Sequence, residues 1–541
     1  MTMSTKRLAL VVVFTAAMSL WLAASGWQQP YFQSTGAPLL VRVEGGLIRG
    51  KAAKDVIAFK GIPFAQPPVG ELRWRPPQPV VPWTGALEAS EFKCNCVQLP
   101  TEGTSEDCLY ANVWRPVSAA NNPLPVLVWI HGGALVSGGA SFYPLGFLAR
   151  QGIVVVSFNY RLGRLGFFSH PALAAEDPKS PRGNYGYMDQ IAALKWVKHN
   201  ISAFGGDPNK VTIAGESAGG GSVLAMRTSP MARGLFHQAI LQSAGLPAAR
   251  AGPTPMRDLA ASESIAVDYA RSLGIEGNDK AALAALRALG AETLSTGTDA
   301  GKAVEATFGG AEIPGISHSI IDGQLIVEPP ETALRAGRQA MVSVISGANS
   351  YDLGQSQAQS KDELFALFGP LAPHARACYD PKGEATLPAL IQAAIADRTM
   401  IEPSRNLAES MTNAGQPAYF YRFSYVPECQ RAFLPGAVHG AEIPYAFDAV
   451  SAVLQGMASE GDIAIGQTMA GYWAAFVKTG NPNGGGRPEW PRYNRATRDV
   501  LNFTSAGPTF GLDPLKARLD LWRSVWESGC APREARVPRK E

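Results

Sequence analysis

One short stretch holds most of the chemistry available to this chain. Gly215-Glu216-Ser217-Ala218-Gly219 sets a serine among small residues in the pattern G-x-S-x-G. That pattern folds as a sharp strand-to-helix turn and projects the serine hydroxyl outward. Glycine suits the turn because the chain reverses tightly and the helix packs close to it. In a chain with 56 glycines a chance match arises about once in three such sequences, so the setting must decide. Residues 211–214 (VTIA) read as a strand immediately before the turn, and residues 220–226 can open a helix immediately after it. Service as a helix cap would explain the serine but not the paired glycines.

A serine becomes a nucleophile only with a base beside it and a carboxylate to orient the base, and after this kind of turn the chain order is serine, acid, histidine. Seven histidines are available. His131, His170 and His199 precede Ser217, and His237 and His318 follow it too early for an acid on a later strand. Of the remaining two, His439 lies in Pro435-Gly436-Ala437-Val438-His439-Gly440, just past the strand-like residues 418–425. A loop beyond a strand end is where α/β sheets present functional groups. His374 has no strand leading into it. For the acid, the strand-like residues 341–346 run into Gly347-Ala348-Asn349-Ser350-Tyr351-Asp352, which makes Asp352 the first carboxylate past that strand. Asp362 and Glu363 are rivals in a helix-like stretch that they could cap. His131-Gly132-Gly133-Ala134 follows another apolar run, Leu124–Ile130. Its glycines let backbone N–H groups approach a developing oxyanion, although an ordinary glycine-rich turn is the alternative. The chemistry so assembled is acyl transfer, and it requires neither a metal nor an organic cofactor.

These groups need a rigid frame. Leu124–Ile130 and residues 153–158, 211–214, 239–241, 341–346 and 418–425 are apolar and strand-like, with helical patterns between them such as residues 187–199. Such runs alternating with helices imply a large, mostly parallel central sheet covered on both faces. Residues 39–60 contain shorter alternating strands suited to a small N-terminal antiparallel sheet, and residues 249–294 are rich in Ala and Leu at helical spacing. No linker divides the chain. Residues 27–530 read as a single α/β domain, followed by a flexible tail over residues 531–541.

Lys6 and Arg7 precede the apolar residues 8–24, and Ala23-Ala24-Ser25-Gly26 follow. This is the layout of a secretory signal peptide over residues 1–26, with a retained anchor as the alternative. The chain has 17% charged residues, a net charge of +3 and no basic run before the tail, which speaks against a nucleic-acid partner. Export permits disulfides, and six cysteines are present: Cys94, Cys96, Cys108, Cys378, Cys429 and Cys530. None has zinc-site spacing. Two glycosylation triplets occur, Asn200-Ile-Ser202 and Asn502-Phe-Thr504.

Further stretches carry a resemblance. Phe59-Lys60-Gly61-Ile62-Pro63-Phe64-Ala65, Glu106-Asp107-Cys108-Leu109-Tyr110, Gly183-Asn184-Tyr185-Gly186, Phe204-Gly205-Gly206-Asp207-Pro208, His439-Gly440-Ala441-Glu442 and Gly480-Asn481-Pro482-Asn483 stand in order with the serine turn. Over residues 41–526 the sequence resembles the type-B carboxylesterases, which include the cholinesterases and bacterial para-nitrobenzyl esterases. The resemblance implies the α/β-hydrolase fold, a small-molecule ester substrate, a triad of Ser217, Asp352 and His439, and an oxyanion hole from the amides of Gly133, Ala134 and Ala218. It also implies a Cys96–Cys108 disulfide. Two departures stand out: the acid is Asp where Glu is usual, and H-G-G-A-L replaces H-G-G-G-F, putting Leu135 in the pocket wall. The cholinesterases carry the tryptophan that stacks on choline inside a longer version of this loop; the resemblance therefore implies that this cation–π contribution is missing here, because residues 97–107 contain no aromatic ring. Bulky natural-product or xenobiotic esters are the expected substrates. A lipase or thioesterase on the same scaffold is the nearest alternative, and a non-catalytic adhesion or binding protein a more distant one.

Overall fold

The computed structural model describes residues 39–53, 55–118, 122–245, 256–307, 313–316 and 318–528. The proposed signal peptide, the tail and Cys530 lie outside them.

The run Leu124–Ile130 shows why the sheet is buried on both faces. Successive side chains of a strand point to opposite sides. Val126, Val128 and Ile130 enter one apolar core, while Leu127 and Trp129 enter the other. The first core is closed by helices including Tyr185–Asn200 and Ala218–Thr228, the second by the long helix Glu460–Thr479. Between them runs an 11-stranded sheet. Its centre is parallel, in the spatial order Val154–Phe158, Leu124–Ile130, Gly206–Glu216, Gln238–Gln242, Ser343–Asn349, Ala418–Phe423 and Asp499–Thr504. Antiparallel strands flank it: Tyr110–Pro116, Val56–Pro63 and Lys51–Ala53 on one side, Gly507–Leu512 on the other.

Flanking strands carry weaker sequence signals than the centre. Tyr110–Pro116 has a polar residue inside it, and Asn112 is tolerated there because its Oδ1 accepts the Gly61 N–H at 2.9 Å. Gly507–Leu512 contains two glycines and a proline and sits at the sheet edge, where a missing N–H costs no ladder bond. The small N-terminal sheet departs from the expected antiparallel form. Leu40–Val43 and Gly46–Arg49 do pair as an antiparallel hairpin, but Ala86–Glu88 adds to it in parallel. That third strand comes from beyond the first main-sheet strands, so local alternation could not reveal it. The Ala- and Leu-rich stretch forms helices over Leu259–Ser272, Lys280–Ala288 and Ala291–Ser295.

Asn200 is buried, its Oδ1 accepting from Glu44 N at 2.8 Å and its Nδ2 donating to Trp196 O at 3.0 Å, which closes the first glycosylation triplet to a glycan in the folded state. Cys96 and Cys108 form a disulfide, while Cys94, Cys378 and Cys429 carry exposed free thiols. A loop this short contributes about 3 kcal/mol of stability in the chain-entropy account. Replacing both Cys96 and Cys108 by Ser should therefore lower the unfolding free energy by about 2–3 kcal/mol in urea titrations, whereas Cys94→Ser should leave the midpoint unchanged. Equal losses in the two variants would contradict this pairing.

Candidate active site

Four loops leave the same edge of the sheet, from the carboxyl ends of Gly206–Glu216, Leu124–Ile130, Ser343–Asn349 and Ala418–Phe423. The first carries Ser217, at φ 58° and ψ −125°. A non-glycine residue there stores about 1–3 kcal/mol of strain, and it persists only where the surroundings over-determine it. Here Ser217 N donates to Gln242 O at 2.9 Å, and Gly221 N donates to Ser217 O at 2.9 Å. The serine stands at the N-cap position of Ala218–Thr228 but makes no side-chain cap bond. It lines a cleft that is open to solvent.

The second loop lies against this turn. A Cβ on Gly132 would fall 2.7 Å from Glu216 O and 3.2 Å from Ser217 Cβ. Gly133, Ala134 and Leu135 all have positive φ (106°, 55° and 62°), so two residues with side chains hold a conformation that favours glycine. His131 anchors the loop from below. It is buried, stacks on Tyr160 at 4.2 Å, and has its Nδ1 2.9 Å from Gly132 O. Burial pushes its imidazole down to about 4, so it is neutral at pH 7 and its Nδ1–H donates to that carbonyl.

The third and fourth loops are joined by a short parallel bridge between Tyr351 and Val438, with Tyr351 N donating to Ala437 O at 2.9 Å. This bridge brings Asp352 to His439, whose Nδ1 donates to Asp352 Oδ1 at 2.6 Å. The carboxylate is buried and fully occupied. Leu353 N (2.8 Å) also donates to Oδ1, while Ser243 Oγ (2.6 Å) and Asn349 N (3.0 Å) donate to Oδ2. Burial alone would raise its pKa; the charge of His439 and these donors outweigh it and hold Asp352 below the usual carboxylate range. The rival carboxylates point elsewhere. Asp362 pairs with Arg376, and Glu363 accepts from Gln359 N at 2.7 Å beside its Ser360 cap. His374 is exposed on the helix Ala372–Tyr379.

Three further polar residues, to which the sequence alone assigns no role, belong to the site. Glu216 Oε1 lies 3.2 Å from His439 Nε2. Among the described residues Nε2 makes no hydrogen bond, to Ser217 or to any other group. Glu442 is buried behind the histidine, accepting from Gln242 Nε2 at 3.0 Å and Asn349 Nδ2 at 2.5 Å. Ser243 orients Asp352 as described. Glu216 and Glu442 stand in the quoted motifs and could have been singled out as acids flanking Ser217 and His439. Ser243, distant in sequence from Asp352, has no local signal. Burial comes first in setting the charges: it raises the pKa of Glu216 and Glu442, and it works against the imidazolium of His439. For His439 the carboxylates of Glu216 and Asp352 outweigh burial and raise its pKa.

A serine hydroxyl on a strained strand-to-helix turn, an imidazole bonded to a buried carboxylate and a glycine-rich loop alongside can together carry out acyl transfer, and on this sheet they define an α/β-hydrolase. The carboxylesterase family model matches residues 37–367 and 376–522. The chain is 35% identical to the fumonisin B1 esterase of Sphingopyxis macrogoltabida, over 90% of this chain and 91% of that protein. To the human (Homo sapiens) cocaine esterase it is 34% identical, over 90% of each. A solved PNB esterase superposes with a TM-score of 0.74 at 32% identity, covering 89% of this chain and 99% of its own. The chain belongs to the carboxylesterase family and hydrolyses carboxylic esters.

The electrostatics make a direct prediction. A neighbouring carboxylate favours the charged imidazole, so removing it lowers the imidazole pKa. In Glu216→Gln the His439 titration, followed by NMR with labelled histidine, should move to lower pH than in the wild type. An unchanged or higher midpoint would contradict the assigned coupling.

Proposed function

We propose that the chain is an exported serine carboxylesterase in which Ser217 attacks the ester carbonyl, His439 takes its proton and Asp352 orients the imidazole and stabilises its charge. The amides of Gly133, Ala134 and Ala218 stabilise the tetrahedral oxyanion, each worth roughly 10²–10³ in rate. His439 returns the proton to the leaving alcohol. It then activates a water molecule that releases the acid from Ser217. Substrate binding closes the contact from His439 Nε2 to the serine in this reading. The observation that carries this reading is the buried Asp352–His439 hydrogen bond of 2.6 Å, on loops from the same sheet edge as the strained Ser217.

On substrate, we favour bulky natural-product or xenobiotic esters over choline esters. The absence of an aromatic ring in residues 97–107 supports this, as do relatives named for fumonisin B1 and cocaine. Export rests on the pattern of residues 1–26. Among the described residues no helix is long and apolar enough to cross a membrane. Residues 27–530 form the proposed catalytic domain.

Ser217→Ala should abolish hydrolysis of p-nitrophenyl acetate while circular dichroism stays that of the wild type; retained activity in a folded variant would contradict the assignment. Asp352→Asn keeps the shape of the acid and removes its charge, and should lower kcat by up to about 10⁴ with KM little changed. Glu363→Gln should stay within a few-fold of wild type. The reverse ranking would move the acid onto the following helix.

A further inference from the structure

The cleft beside Ser217 is lined by both apolar and polar groups, and three of the polar side chains form one wall. Leu135, Leu224, Ile326, Leu353 and Met400 supply much of its surface, but Tyr187, His318 and Ser319 also face it. This wall comes from two distant segments, and the way they are held together points to a built site. Tyr187 lies in the first turn of the helix Tyr185–Asn200. Its hydroxyl is 2.6 Å from Ser319 Oγ. Asn184, buried at the N-cap of that helix, staples the other segment to it. Its Nδ2 donates to Ile320 O at 2.9 Å and to Asp322 Oδ2 at 2.8 Å, and its Oδ1 accepts from Ile320 N at 3.2 Å. The Gly183-Asn184-Tyr185-Gly186 motif thus fixes Ser319 next to Tyr187 at the edge of the cleft.

His318 adds a second sign. It has φ 50°, in the left-handed region that non-glycine residues seldom occupy. Strain of this kind concentrates where a side chain must be aimed at a ligand. The wall offers hydrogen bonding through its hydroxyls. Either hydroxyl can donate in the Tyr187–Ser319 contact, so Ser319 can present its O–H when the tyrosine donates and a lone pair when it accepts. His318 lies beside them on the same wall. The hydroxyl pair of Tyr187 and Ser319, held at the cleft edge, suits an oxygen function that can donate to it or accept from it. In such clefts apolar surface provides most of the affinity, and a few fixed polar groups set orientation and specificity.

We infer that His318, Ser319 and Tyr187 form a specificity wall that selects esters carrying an ether, hydroxyl or carbonyl oxygen along the chain lodged in the cleft, over their hydrocarbon counterparts. This rests on the reading of Ser217 as the nucleophile and adds a substrate class to it.

The test walks an oxygen along the substrate. The full-length enzyme is assayed with p-nitrophenyl heptanoate and with analogues in which an ether oxygen replaces, one at a time, the methylenes from the third carbon of the chain outward. A parallel series does the same along the alcohol chain of heptyl acetate, which covers the opposite orientation. In the wild type at least one ether analogue should match or exceed its hydrocarbon parent in kcat/KM. Ser319→Ala and Tyr187→Phe, which each remove one oxygen, should lower kcat/KM for that analogue about tenfold while the parent ester changes less than about threefold. Retained turnover of the parent reports that a variant is folded, and either variant alone suffices. The inference is overturned if every ether analogue in both series is poorer than its parent, by the same factor in wild type and variants. If the wild type cleaves no ester in either series, the reading of Ser217 fails and this inference fails with it.

Discussion

Two pieces of backbone meet at the serine turn with no space between them for a side chain. A Cβ on Gly219 would lie 2.1 Å from Ile130 O, and one on Gly215 would lie 2.4 Å from the Gly219 carbonyl carbon. This contact presses the start of the helix Ala218–Thr228 onto the end of the strand Leu124–Ile130. The same close approach seats the loop after that strand beside Ser217, whose strained conformation is held in the same tight turn. A bulkier residue at either glycine would separate the turn from the loop and relax both. The proposed nucleophile and the proposed oxyanion donors are therefore products of one steric constraint, and the wide parallel sheet is the frame rigid enough to impose it.

The second organising feature is electrostatic. Three buried carboxyl groups, Glu216, Asp352 and Glu442, surround one imidazole. Leaving all of them charged in such a place would be costly, so each is managed differently. Asp352 takes up four hydrogen bonds and stays ionised. Glu442 is held by two amide side chains, and Gln242 is fixed in turn by Trp473 Nε1 at 3.0 Å. Glu216 faces the ring itself, with its pKa raised by burial. The orientation of His439 thus depends on residues from five segments of the chain, which places its geometry beyond the control of the loop that carries it.

Much of this could be read before any coordinates. Leu124–Ile130 was legible to the residue because a strand buried on both faces must be a continuous apolar run. Ser217, Asp352 and His439 were legible as positions past strand ends, and the structure brings Asp352 and His439 into contact. What was missed is non-local. Ser243 and Asp352 are joined only by tertiary folding, Ala86–Glu88 pairs outside its own neighbourhood, and Gly507–Leu512 hides its strand character behind glycine and proline. His318 was set aside as too early in the chain to be the base; the fold gives it a place in the cleft wall, which no periodicity encodes.

The central claim is that Ser217 is the group that bears the acyl intermediate. An organophosphate that phosphorylates activated serines, followed by peptide mass mapping, tests this on the unaltered protein. One covalent adduct per chain is expected, on the peptide containing Ser217, appearing in step with the loss of esterase activity. An adduct on another residue, or complete loss of activity without modification of Ser217, would contradict it.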